Sequence, residues 1–392
     1  MCGAFGVIAI GGSAEEPAPF DCLASRDKQA PENRRKRLEG EPSAVVLLIS
    51  SFVRALPKVQ LHCHLEGTVR AETFRELAQL RGVESSRARG PLDATYAFAT
   101  FGEFLLTFAE VCRTLQEPED YARIARDYAD DAAAQNVRYA EIFISPSVWT
   151  FFRADLDVLE TVAAIRQALD ECRARTGLEV ALICDLTRNF GVERALETAR
   201  LAVRLAEAGL GVVGVGLGGD EARFPAALYR EPFAYARAHG IHRVAHAGEA
   251  AGAQSVRDAV DILGAERIGH GVRALEDAAL VSDLARRKIT LEICPTSNHL
   301  TGAAPRATPH PLLALDAAGV RCVIDADDPA LFSTTLNAEY ALVSSWLSEA
   351  ALLRFARNAV EATFLPPERK AILFEELAGY VPETYGALRR TN

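Results

Sequence analysis

No stretch of this 392-residue sequence reaches the roughly 18 consecutive apolar residues that a membrane-spanning helix needs. The apolar start, MCGAFGVIAIGG, carries no basic region ahead of it, which argues against a secretory signal. Positive charge is in short supply: 43 Lys and Arg face 53 Asp and Glu, a net charge of −10 that argues against a nucleic-acid partner. No two cysteines form a Cys-x-x-Cys pair among the eight present, Cys2, Cys22, Cys63, Cys112, Cys172, Cys184, Cys294 and Cys322. In so long a chain they read as buried free thiols in a reducing compartment. A cytoplasmic protein is expected. No internal repeat is visible.

What is present is apolar material for a large core, 49% hydrophobic residues. Residues 12–44 differ from the rest, being rich in Pro, Glu, Ser and Arg. Residues 1–50 are therefore expected to form a disordered or loosely packed extension, and residues 51–392 a single barrel domain. The run Arg34 to Arg37 reads as a solvated charge cluster. MCGAFG also opens like the glutamine amidotransferases with an N-terminal cysteine nucleophile, but nothing downstream continues that pattern.

From residue 50 onward short β-rich runs alternate with Ala/Leu/Arg/Glu-rich segments at helical spacing. Eight candidate strands fall at 58–63, 137–144, 178–185, 212–217, 241–246, 266–270, 289–294 and 320–325. Eight strands alternating with helices predict an α/β fold, a (β/α)8 TIM barrel. The long gap from 64 to 136 predicts extra helices after strand 1, covering the mouth.

The chemistry sits at the strand ends. LHCHLEG, residues 61–67, places His62 and His64 at the end of strand 1, two apart and so on one face. His246 ends strand 5, His270 ends strand 6, and Asp327 and Asp328 follow strand 8. In a barrel all these ends open on one mouth. Nitrogen and oxygen donors without a thiolate suit Zn2+, with Fe2+, Mn2+ and Co2+ also compatible. His64-Leu-Glu66 also spells half of a cytidine-deaminase signature, but the required Pro-Cys-x-x-Cys is missing downstream. Glu249, in HAGE, lies on the turn leaving strand 5, within reach of that centre.

The chain resembles the adenosine deaminase family of the metal-dependent amidohydrolase superfamily. LPKVQLHCHLEG, GVGLGGDE, HAGE, ERIGHGV, LEICPTSNHLTGA and DADDPALF carry the likeness, from about residue 54 to 345. The resemblance implies that His62, His64, His246 and Asp327 hold one Zn2+ per chain. It implies that Glu249 protonates a purine N1, that His270 orients or deprotonates the attacking water, that Asp328 meets N7 and that the Gly219 N–H meets N3. His64 and Glu66 would also border the substrate. The implied partner is a small purine nucleoside, most simply adenosine, converted to inosine and ammonia. Glu66 departs from the Asp frequent in adenosine enzymes, which keeps aminodeoxyfutalosine and adenine as alternatives. Asp325 stands where the family has Asn; it would either hold a metal ligand in place from behind or tune metal affinity. A barrel that binds without turnover is the reading from another class; the intact ligand set speaks against it.

Overall fold

The computed structural model describes residues 49–380 apart from residue 307. The extension expected over residues 1–50 falls almost wholly outside this range, as do Cys2, Cys22 and the Arg34 to Arg37 run. The eight strands are β1 (Lys58–Gln60), β2 (Val137–Ile144), β3 (Glu179–Asp185), β4 (Val212–Gly216), β5 (His242–Ala247), β6 (Arg267–His270), β7 (Thr290–Ile293) and β8 (Arg321–Ile324). They pair in parallel, each with its chain neighbour, in the order β1 to β8. That is a nearly closed (β/α)8 barrel.

The one shortfall is strand 1, expected to run to Cys63 but ending at Gln60. Its seam with β8 is reduced to a single bridge between Cys63 and Asp327. The reason is local. Asp327 adopts a left-handed backbone, φ 61°, which no extended strand contains. In place of a backbone carbonyl, the Asp325 carboxylate accepts the Leu61 N–H at 2.8 Å. Asp325 therefore stitches the barrel shut, a contact that neither sequence-level reading of it anticipated.

Helices follow from capping and spacing. After β1 come α1 (Phe101–Cys112) and α2 (Pro118–Ala134), within the expected insertion. A reciprocal cap between Glu117 and Asp120 and a Pro at the first helical position start α2. After β2 come α3 (Pro146–Phe152) and α4 (Val158–Thr176). The Asp157 side chain caps α4 and Gly177, at φ 80°, ends it. Its buried Val162, Ile165, Leu169 and Cys172 recur at three- and four-residue steps and form one stripe. Further on, α5 (Pro295–Leu300) follows β7 and α6 (Leu336–Ser344) follows β8.

Inside the barrel a small apolar plug of Phe143, Ile183 and Val244 is fully buried. It forms the floor on which the mouth residues rest. The six described cysteines are free and buried. No helix among the described residues is long and apolar enough to cross a membrane.

Candidate active site

Strand register brings the mouth together. His246 pairs with Gly269 and Ala247 with His270, so β5 and β6 end level. Cys63 faces Asp327 and His64 faces Phe143 across the neighbouring strands. The backbone holds this corner tightly: the Asp327 N–H donates to the His62 carbonyl and the His64 N–H to the Asp327 carbonyl, both at 3.0 Å. His270 shares the left-handed conformation of Asp327, at φ 63°. Two non-glycine residues held there in one pocket mark stored strain of the kind that gathers at functional sites.

His62, His64, His246 and Asp327 are all buried, and one donor atom from each lies within 4.8 Å of the other three. Asp327 Oδ1 is 3.3 Å from His62 Nε2 and 3.5 Å from His64 Nε2. The Nε2 atoms of His64 and His246 face each other at 3.1 Å. Four ligands at about 2.0–2.1 Å in a tetrahedron stand about 3.3 Å apart. His62 Nε2 has no hydrogen-bond partner, as a nitrogen reserved for an ion requires. Its other nitrogen, Nδ1, lies 2.7 Å from Glu292 Oε2, which holds the ring with Nε2 aimed inward. The residues thus fit a divalent cation of the zinc type. Gly269 makes room for this arrangement: a Cβ there would lie 2.6 Å from His62 Cε1. Phe143 lies under both imidazoles, its centroid 5.0 Å from His62 and 4.8 Å from His64.

Glu249 sits across the pocket, its Oε2 3.5 Å from His270 Nε2. Burial, reinforced by the charges of Asp327 and Glu221, pushes its carboxyl well above the usual carboxylate range. Its position is set by Glu221, whose carboxylate accepts four consecutive N–H groups, those of Gly248, Glu249, Ala250 and Ala251. Sequence reasoning quoted Glu221 within GLGGDE but gave it no part; a carboxylate that fastens a loop 28 residues away has no spacing signature.

Glu66 is fully buried. Its Oε1 accepts from the Ser145 N–H at 2.8 Å and from Trp149 Nε1 at 2.6 Å, both at the start of α3. Its Oε2 has no partner. Burial raises its carboxyl to about 7 against these hydrogen bonds. Asp328 is likewise buried, with an unpartnered Oδ1. It packs over Gly67, where a Cβ would lie 1.8 Å from that oxygen. Burial and the neighbouring Asp327 raise its carboxyl as well.

Gly219 has φ 96°, and a Cβ on it would strike Asn189 Oδ1 at 2.4 Å. Its N–H makes no hydrogen bond among the described residues. Beside it Asp185 accepts the Gly218 N–H at 2.6 Å, which shapes the exit of β4. On the insertion side, Phe108 of α1 presents its ring 6.2 Å from His64, edge to face. Phe104 stacks on Phe332 at 4.8 Å. The extra helices expected after strand 1 thus bring an aromatic ring beside the mouth.

Short α5 contributes residues that the sequence did not single out. The Ser297 hydroxyl donates to Asp327 Oδ2 at 2.7 Å, and Asn298 Nδ2 lies 3.0 Å from His270 Nδ1. The helix itself is held by Glu339 of α6, which accepts the Thr296 N–H at 2.9 Å and the Thr334 hydroxyl. A cavity of about 750 Å³ lined by Tyr96, Phe98, Tyr128 and Phe332 has none of these donor or carboxylate residues in its wall.

The chain is similar to several known proteins. The family model described as adenosine deaminase matches residues 57–380. An aminodeoxyfutalosine deaminase of Streptomyces coelicolor is 36% identical over 93% of this chain and 97% of its own. An adenine deaminase of Rhizobium leguminosarum bv. trifolii is 39% identical over 81% of this chain and 98% of its own. A zinc-bound amidohydrolase from Burkholderia ambifaria superposes with a TM-score of 0.77 at 30% identity, over 90% of this chain and 97% of that one.

Proposed function

The chain belongs to the adenosine deaminase family of hydrolytic deaminases, and from that premise we propose that it removes the 6-amino group of a purine, with free adenine as the substrate its pocket fits best. The observation that carries the choice of adenine is the pair of unpartnered buried oxygens, Glu66 Oε2 and Asp328 Oδ1. Each is costly to leave unpaired. The imidazole edge of adenine offers one N–H and one ring nitrogen that accepts. One carboxylate, ionised, takes the N–H; the other, protonated, donates to the nitrogen. The raised positions of both carboxyls support such a split. In a nucleoside N9 carries the sugar and offers no proton, and Trp149 stands behind Glu66. The adenosine expected from the motifs is the reading this displaces.

The roles follow from placement. His62, His64, His246 and Asp327 would hold Zn2+, which when bound acts as a Lewis acid and lowers the pKa of a coordinated water to about 7. Glu249 in its protonated form donates to N1, without which C6 is a poor electrophile. His270 faces the attacking water, and the Gly219 N–H is free to donate to N3. The balance is adenine plus water to hypoxanthine plus ammonia. The buried free thiols support a reducing, cytoplasmic setting.

A second reading, aminodeoxyfutalosine as substrate, is favoured by the breadth of the Streptomyces coelicolor match. Steady-state kinetics of the zinc-loaded protein with adenine, adenosine and aminodeoxyfutalosine decide between them. A site that leaves buried polar groups unpaired rejects the wrong substrate strongly, so adenine should lead adenosine by at least about a hundred-fold in kcat/KM. Glu66→Asp should shrink that ratio. A kcat/KM greater for aminodeoxyfutalosine than for adenine would move the assignment to the second reading.

A further inference from the structure

The cavity of about 750 Å³ lies back to back with the mouth. Ala326, Pro329 and Ala330 line it, and the same stretch of chain gives Asp327 to the donor cluster and carries Asp328. Thr68 lines it as well, next to the Gly67 over which Asp328 packs. The Ala330 N–H donates to the Gly67 carbonyl at 3.0 Å and ties the two segments into one partition.

The cavity is of the size and make-up of a small-molecule pocket, aromatic and apolar with few polar groups. Tyr96, Phe98, Tyr128 and Phe332 supply the rings, Phe98 standing edge-on to Phe332 at 5.8 Å. Most polar side chains of the wall are already engaged. The Tyr96 hydroxyl donates to the Val69 carbonyl at 2.8 Å and the Thr68 hydroxyl to the Leu65 carbonyl at 2.7 Å. Both ends of the Gln135 amide are used, Nε2 on the Asp131 carbonyl at 3.1 Å and Oε1 by the Asn337 N–H at 3.0 Å. Arg70 and Asp131 pair with each other at 2.7 Å, and Asp93 stands exposed. No unpaired cation among the described residues therefore lines the cavity to hold an anion.

Gln60 is the exception. It ends β1, lines the cavity and is 3% exposed. The Tyr128 hydroxyl donates to its Oε1 at 2.9 Å, which leaves the amide nitrogen with two N–H groups and no partner among the described residues. That nitrogen is not sealed among protein atoms, so its N–H groups open on the cavity. A buried donor left unpaired is costly, and an acceptor atom on a ligand relieves it. We propose that this cavity is a second, non-catalytic binding site for a small uncharged aromatic molecule of one or two fused rings, whose ring acceptor takes a Gln60 N–H. The rings of the wall give it faces and edges to pack against. The site does not depend on the deaminase reading.

The test is a ligand-observed NMR titration of the full, zinc-loaded chain at pH 8. One probe is quinoline, an uncharged fused ring with one acceptor; the other is indole, of like size but with one donor. Quinoline should bind with a Kd of about 1 mM or tighter. It should lead indole by about five-fold or more, the worth of one hydrogen bond. Gln60→Met should bring the two probes level. Ala97→Trp, which fills the cavity from an exposed position of its wall, should remove both. Hypoxanthine, the product proposed for the mouth, should leave quinoline bound. Absence of quinoline binding overturns the proposal, as does indole ahead of quinoline or a preference unchanged in Gln60→Met. So does displacement by hypoxanthine, or binding that survives Ala97→Trp, since either places the probe elsewhere. Thermal melts check that each variant is folded, and the comparison of the two probes on the parent chain stands without any variant.

Discussion

Glu292 Oε2 lies 2.7 Å from His62 Nδ1, and both side chains are completely buried. The other oxygen of Glu292 pairs with Arg267 at 2.6 Å, and Arg267 pairs in turn with Glu141 at 2.5 Å. A line of alternating charge thus runs down the barrel interior from the candidate metal site. Each member compensates the burial of the next, and a single deletion would leave an uncompensated charge.

The first prediction concerns this line. Glu292→Gln removes the anion that fixes and polarises His62. Zinc affinity, measured by competition with a chelator of known strength, should fall by about 10–100-fold. An unchanged affinity would detach Glu292 from the metal site.

Glu249→Gln should retain zinc and lose turnover by about 10²–10⁴-fold, the worth of a positioned acid. The working form is the protonated one, and burial raises the carboxyl. Activity should therefore persist above the ordinary carboxylate range and fall as pH rises through the raised value. Zinc content and the pH dependence of kcat/KM check both parts. A variant keeping most of its activity would remove Glu249 from the proton-donor role.

Gly67→Ala would put a methyl group into the space of the Asp328 carboxylate. The expected result is a fall in kcat/KM of about ten-fold or more with zinc retained, because Asp328 is displaced while the four donor residues are not. Calorimetry and metal analysis separate this outcome from misfolding.

Glu339 gives a test of stability against pH. Burial raises its carboxyl to about 7, from an ordinary value of 4.5. The folded protein thus holds the proton more tightly than the unfolded chain. The stabilisation linked to that proton is complete below pH 4.5 and lost as pH rises through 7, up to roughly 3 kcal/mol. Glu339→Gln, uncharged throughout, should therefore gain stability relative to the parent between pH 5 and pH 8. Denaturant melts at several pH values read this directly; a difference that does not vary with pH contradicts it.

Much of the architecture was legible in the sequence because parallel strands are short apolar runs between long amphipathic helices. β2 was bounded to the residue, and most of the other strands to within one residue at each end. His62, His64, His246, His270, Asp327 and Asp328 could be grouped because a barrel turns strand ends into one mouth. What escaped were residues whose work depends on a partner from another element. Glu221 holds the Glu249 loop, Trp149 occupies one oxygen of Glu66, Asn298 meets His270, and Glu292 backs His62. Each looks like an ordinary core or turn residue until the partner is placed. Asp325 was noticed as unusual, but its contact with Leu61 belongs to the seam between the first and last strands, which local sequence does not describe.

The proposed activity of this mouth is zinc-dependent hydrolysis of the 6-amino group of adenine. The most direct measurement is stoichiometry: ammonia and hypoxanthine released from adenine by the zinc-loaded chain, before and after chelation. The expected result is equimolar ammonia and hypoxanthine, lost on chelation and restored by adding Zn2+. Adenine left intact by a fully zinc-loaded, folded protein would contradict it.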